Sequence, residues 1–300
     1  TEPAPNSAAA SAWGPISADF STSLSQTSVT SQTFTVHAEF HGDVQGNFSA
    51  GSIEFAPEVT FAPGELLQTS ITSGVLEATG APVAPYVWQA RVGTEFATGE
   101  LTATAQSLGI APTYDVAVGD LNGDNHLDAF FAISGTSTVW LNDGAGNLSD
   151  TGQGLSTPWA KDVALGDLNH DGYLDAFIAH DNNVTDTIWL NDGAGNFSNS
   201  GQPLDSSWGW ETLLGDLDGD GDVDAYVVNS GDPNTVWLND GLGNFLDTGQ
   251  ALGNEESRGG DLGDVDGDGD LDVVAAGVFK PSVLWLNDGA GHFPLTRTLG

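Results

Sequence analysis

The sequence predicts an all-β protein: a β-sandwich over residues 16–98, then an array of four four-stranded blades over residues 99–300. Three observations carry this expectation. Apolar and polar residues alternate with a period of two in the first third of the chain. A unit of about 48 residues recurs four times in the remainder, its loops opening at Asp120, Asp167, Asp216 and Asp264. No segment of useful length has the 3.6-residue periodicity of a helix.

Residues 1–15 are rich in Ala, Ser and Pro and read as an extended N-terminal tail, able to add as a strand to a neighbouring sheet edge. From residue 16, Phe34, Val36, Ala38 and Phe40 alternate with Thr33, Thr35, His37 and Glu39, the pattern of a half-buried strand. Ile53 with Phe55, Val59 with Phe61, and Val87 beside Trp88 mark further short strands, separated by Gly/Pro turns such as Ala62-Pro63-Gly64. About seven short strands in this space fit a sandwich.

Each later unit opens on an apolar strand ending in Gly-Asp, as in Val116-Ala-Val-Gly-Asp120 and Val163-Ala-Leu-Gly-Asp167. A second strand follows the loop, and a third reads Trp-Leu-Asn at Trp140, Trp189, Trp237 and Trp285. Asp-Gly, a favoured hairpin turn, comes next, and a fourth strand is expected from Leu148, Phe197, Phe245 or Phe293. Four strands per unit is the arithmetic of a propeller blade. Leu101–Leu108 lines up with Leu148–Leu155 as a spare outer strand, which favours a ring closed by strands from both ends of the chain over the alternative, an open or partner-completed array.

Between the first and second strands lie four nine-residue loops. Oxygen-bearing side chains fill positions 1, 3, 5 and 9: Asp120, Asn122, Asp124 and Asp128; Asp167, Asn169, Asp171 and Asp175; Asp216, Asp218, Asp220 and Asp224; Asp264, Asp266, Asp268 and Asp272. A hard cation that takes six to eight oxygens suits such a loop, so about four Ca²⁺ are expected. Apolar strands rather than helices flank the loops, which sets them apart from EF-hands. Carboxylates crowded into one turn would repel one another without a cation.

Together the loops and the Trp-Leu-Asn-Asp-Gly hairpins resemble the FG-GAP/VCBS repeats of integrin-like propellers and many secreted bacterial proteins. Val-Gly or Leu-Gly stands where that family carries Phe-Gly. The resemblance implies one Ca²⁺ per loop, with the position-7 backbone carbonyl as a further ligand: His126, Tyr173, Asp222 and Asp270. It also implies a sharp backbone turn at position 6, which is Gly172, Gly221 or Gly269 in three loops and Asn125 in the first. Phe61-Ala-Pro-Gly-Glu-Leu and Pro85-Tyr-Val-Trp-Gln resemble a bacterial Ig-like domain of cell-surface proteins.

Composition narrows the function. With 42 acidic residues against five basic ones, the net charge of −37 speaks against nucleic acid or an anionic membrane as partner. Cysteine is absent, so metal rather than disulfide would staple the fold. A chain opening on Thr1 and lacking an apolar run of about 20 residues is expected to be processed, secreted and free of membrane insertion. The four repeat tryptophans read as core. Trp159, Trp208 and Trp210, at unmatched positions, are candidates for stacking a sugar. No Ser/His/Asp constellation points to catalysis. The expected function is a non-enzymatic, calcium-binding structural or adhesive protein of the cell surface, self-associating through its tail or Ig-like domain into a filament or matrix. A glycan-binding lectin is the alternative.

Overall fold

The computed structural model describes residues 16–18, 20, 22–48, 53–62, 65–92, 106–109, 111–204, 207–253 and 256–299. The expected N-terminal tail and most of the spare outer strand, residues 101–105, lie outside them.

Seven strands make up the first part: β1 (Ile16–Ala18), β2 (Phe34–Ala38), β3 (Gly42–Asp43), β4 (Gly46–Phe48), β5 (Ile53–Pro57), β6 (Leu66–Ile71) and β7 (Tyr86–Arg91). They form two sheets, β1-β5-β4 and β3-β2-β6-β7. The alternation in β2 buries Phe34, Val36 and Ala38 against Ile53, Phe55 and Leu67, in one core shared by both sheets. The rings of Phe34 and Phe55 meet across it at 6.0 Å. Val59–Phe61 forms no strand, contrary to expectation. Pro57 ends β5 just before it, and Phe61 is buried from irregular backbone.

The repeats form four antiparallel sheets, each a meander from inner to outer strand. The first holds β8 (Thr113–Gly119), β9 (Asp128–Ile133), β10 (Gly135–Asn142) and β11 (Leu148–Asp150), with β12 (Leu155–Thr157) pairing β10 as well. The second holds β13 (Ala160–Gly166), β14 (Asp175–His180), β15 (Thr187–Asn191) and β16 (Phe197–Asn199). The third holds β17 (Gly209–Gly215), β18 (Asp224–Asn229), β19 (Thr235–Asn239) and β20 (Phe245–Asp247). The fourth holds β21 (Ser257–Gly263), β22 (Asp272–Gly277), β23 (Ser282–Leu286) and β24 (Leu295–Leu299). The outer strands begin where expected except in the last blade. There β24 starts at Leu295 rather than Phe293, because Pro294 has no N–H to donate to a ladder.

A bulge recurs in every inner strand, between Thr113 and Asp115, Ala160 and Asp162, Gly209 and Glu211, and Ser257 and Gly259. Three successive interfaces join the sheets by one repeated contact set. The Val163, Thr212 and Gly260 N–H groups donate to Asp115, Asp162 and Glu211 at 3.2, 2.8 and 2.6 Å. Phe130 meets Phe197, Phe177 meets Phe245, and Tyr226 meets Phe293, edge-on at 5.2–5.8 Å. Gln153 spans the gap to Phe197 N–H and Gly195 C=O, and Gln250 does the same to Phe293 N–H and Gly291 C=O. Gln202 holds both the N–H and the C=O of Phe245, and Gln106, ahead of the first blade, holds both of Leu148. The expected closure follows this pattern only in the Gln106 clamp. The matching residues between the fourth and first sheets are Gly259, Val274 and Leu148, which supply neither the acid nor the aromatic pair. Among the described residues β24 is the outer strand of the fourth sheet, and the acid and aromatic contacts of the other joints have no fourth copy, so the array is propeller-like.

The inner strands surround a central cavity of about 360 Å³, also lined by Glu39, Phe40, Leu66 and Gln89 of the N-terminal sheets. Those sheets sit where the Asp loops emerge. Asp120 N–H donates to Phe40 C=O at 2.8 Å, and Val87 N–H to Gly269 C=O at 2.9 Å.

Candidate functional site

Each Asp loop leaves the end of an inner strand at a glycine and returns as the second strand. Space fixes that glycine in the third blade: a Cβ on Gly215 would meet Leu262 and Leu271 side chains at 2.9 Å. Inside the loop, positions 4 and 6 are both left-handed. Asn125 adopts φ 63°, as expected of a residue that tolerates this region, and His170 at position 4 adopts φ 56°.

The third loop shows the wiring best. Asp216 accepts from Gly219 N–H (2.8 Å) on one oxygen and Gly221 N–H (3.2 Å) on the other. Asp220 accepts from Asp222 N–H at 2.9 Å. Asp224 accepts from Leu217 N–H and Asn239 N–H, both at 2.8 Å, so position 9 ties the loop to the third strand. The other loops repeat this bond pair through Asp128, Asp175 and Asp272. Carboxylate oxygens of Asp216, Asp218 and Asp224 lie within 4.8 Å of one another, as do those of Asp264, Asp266 and Asp268. The first two loops have Asn122 and Asn169 at position 3, whose amides donate to Asp124 and Asp171 at 3.0 Å instead. Three carboxylates therefore converge in the third and fourth loops but not in the first two.

Burial and mutual repulsion leave several of the loop acids reluctant to ionise. Burial, ahead of the neighbouring carboxylates, raises Asp216 to about 6 and Asp220 to about 7. The same causes raise Asp175 to about 7 and Asp270 to about 6, and push Asp128, Asp224 and Asp272 upward. Asp167 rises to about 6, by burial first and the charge of Asp43 second. The donor set is all oxygen, negatively charged and preshaped by backbone N–H groups, which fits a hard divalent cation.

The position-7 side chains, His126, Tyr173, Asp222 and Asp270, tuck under the Asp-Gly hairpins at Gly144, Gly193, Gly241 and Gly289. A Cβ on Gly289 would lie 2.6 Å from the Asp270 carboxylate, and φ there is 76°, so glycine is favoured.

Three arrangements escaped the sequence reading. The Asn of the last three Trp-Leu-Asn runs reaches back one blade: Asn191, Asn239 and Asn287 donate to Leu121, Leu168 and Leu217 C=O at 2.9, 2.8 and 2.7 Å. The repeated triplet was the available signal. His170 bridges Asp43 of β3 and Asp222 of the third loop, the latter at 2.6 Å, and those two bonds raise it to about 11. Finally, Trp159 and Trp208 are matched, not unmatched: each immediately precedes an inner strand, eight residues before Asp167 or Asp216. They are 48% and 43% exposed, whereas Trp210 lies between Lys161 and Arg258. Of the four repeat tryptophans, Trp189 and Trp237 are buried and Trp140 and Trp285 half-buried.

No curated protein matches the chain. Among solved structures, an Agrocybe aegerita lectin that recognises non-reducing terminal N-acetylglucosamine is similar over 92% of this chain and 79% of its own, with 18% identity and a TM-score of 0.44. The Trypanosoma rangeli sialidase bound to 2,3-difluorosialic acid is similar over 76% of this chain but only 37% of its own, at 11% identity and a TM-score of 0.35. Neither likeness carries an argument about function. The family described as FG-GAP-like repeat matches residues 120–178, 167–227 and 216–275, the very span from the first Asp loop to the strand after the fourth. These matches cover just over half of the sequence, and the chain belongs to that family.

Proposed function

We propose that this is a non-enzymatic, calcium-stabilised structural or adhesive protein of the extracellular space or cell surface, one that self-associates. The observation that supports it most is the recurrence of buried acids in four loops, raised by burial and crowding. In the third and fourth loops three carboxylates converge. One Ca²⁺ in each loop, held by positions 1, 3, 5 and 9 and the position-7 carbonyl, relieves that repulsion. Extracellular calcium modules work at dissociation constants on the order of 10⁻⁴–10⁻³ M, which suits a secreted chain. The paired sheets β1-β5-β4 and β3-β2-β6-β7 serve as an Ig-like domain seated on the loops, so filling the loops also fixes the sandwich. Equilibrium dialysis is expected to find about four ions per chain, and sedimentation in calcium a larger species than in EGTA. A monomer that takes up no calcium would refute the reading.

A glycan-binding role has one observation in its favour, the matched and half-exposed pair Trp159 and Trp208. Such rings stack on sugar faces. On that reading a glycan array yields hits that Trp208→Ala abolishes. Binding unchanged in the variant removes it.

A further inference from the structure

The two ends of the blade series are unlike each other and fit each other. Within the series, position 2 of each Asp loop shares an apolar cluster with the inner strand of the next blade: Leu121 with Leu165, Leu168 with Leu214, Leu217 with Leu262. The fourth pair in this sequence is Val265 and Val118. Both stand open, at 53% and 44% exposure, although Leu121, Leu168 and Leu217 are at most 1% exposed.

The polar contacts break off in the same way. Asn191, Asn239 and Asn287 each donate to the loop of the preceding blade, whereas Asn142 donates, among the described residues, only to Leu127 C=O of its own. The Val265 carbonyl, which is the matching acceptor, receives no donor among the described residues. The bulge residues tell the same story. Their side chains alternate aromatic and cationic along the blades: Lys161 lies 4.1 Å over Tyr114 and 4.9 Å over Trp210, and Arg258 lies 4.4 Å over Trp210. Tyr114, 52% exposed, has one ring face covered by a cation, and Arg258 at the other end stacks, among the described residues, on one ring only.

The first blade thus presents an aromatic ring, an aliphatic strand and an amide donor. The fourth presents a cation, a valine and a carbonyl. A surface complementary to the opposite end rather than to itself makes a heterologous contact. We infer that a second copy of this chain docks head to tail, its Arg258, Val265 and Val265 carbonyl meeting Tyr114, Val118 and Asn142 of the first. The inference rests on the self-association proposed above and assigns it a surface other than the N-terminal tail. Gly259, Val274 and Leu148 leave this joint without the acid and aromatic pair of the internal ones, so it is the weaker and reversible joint. Copies of net charge −37 repel, so association strengthens as salt screens them.

The absence of cysteine makes the test direct. The full-length Val118→Cys and Val265→Cys variants are mixed in calcium and ~0.5 M salt, where screening is short-ranged, and oxidised mildly. Mixed 118–265 dimers are expected to outnumber either self-pair. In sedimentation of the cysteine-free chain, Tyr114→Ala and Arg258→Glu are each expected to weaken association about tenfold, as loss of a desolvated cation–π contact does. Three outcomes overturn the inference. An internal 118–265 disulfide in a monomeric double variant means that the chain closes on itself. Assembly without preferred 118–265 cross-linking discards this surface and leaves self-association standing. A monomer at every concentration discards both.

Discussion

Calcium is expected to raise the melting temperature of the chelated protein at pH 8 by roughly 12–24 °C. At a tenfold excess over the dissociation constant each site contributes about 1.4 kcal/mol, and four sites about 6 kcal/mol. Melting shifts by roughly 2–4 °C per kcal/mol in a domain of some 200 residues, which gives the range above. The pH dependence separates this effect from a general action of salt. Asp167, Asp216 and Asp270 are raised to about 6, and Asp175 and Asp220 to about 7, all above an ordinary aspartate near 4. A raised acid holds its proton in the folded state at pH values where the unfolded chain has lost it. Folded protein then binds more protons than unfolded between about pH 4 and 7, and stability falls as pH rises through that window. Chelated protein should therefore melt higher at pH 5 than at pH 8. With calcium the slope flattens or reverses, because protons compete with the ion for the same oxygens. Scanning calorimetry at the two pH values, in calcium and in EGTA, reads both effects. Superimposable traces at pH 8 would refute the assignment of the loops to calcium.

What the sequence made legible was whatever the repeat imposes. Loops, hairpins and strand order recur at nearly constant spacing, so each copy corroborates the others. The ends of the series could not be read that way. Gly259, Val274 and Leu148 look like ordinary variation until the sheets show that all three fall on the one joint where blades do not meet as they do elsewhere. His170 was opaque for another reason. Its partners Asp43 and Asp222 lie 127 and 52 positions away, and only the seating of β3 on the second and third loops brings them within reach. Trp159 and Trp208 differ again, since counting back from each loop's first Asp would have aligned them. Loop position 9 was identified as an oxygen donor, but its second role, holding the third strand, depends on backbone N–H groups that carry no sequence signal.

That double role yields the second large effect. Asp224→Ala is expected to destabilise the protein in calcium and in EGTA alike, by roughly 2–6 kcal/mol, because it strands two buried N–H groups at about 1–3 kcal/mol each. The groups are those of Leu217 and Asn239, and Asp224 itself is fully buried. Asp220, at position 5 of the same loop, is exposed and accepts only from Asp222 N–H. Although part of Asp220 reaches solvent, the loop packed around its carboxylate partly desolvates it and the neighbouring acids repel it, so Asp220→Ala removes a disfavoured charge. It should leave the chelated protein unchanged or slightly more stable and cost only the third site's share, about 1.4 kcal/mol, when calcium is present at tenfold excess. Denaturant unfolding of the two variants, each with and without calcium, separates the roles. If both lose equal stability in EGTA, position 9 has no structural duty beyond that of position 5. If Asp224→Ala is silent in EGTA, its carboxylate serves the ion alone and the two N–H groups find water instead.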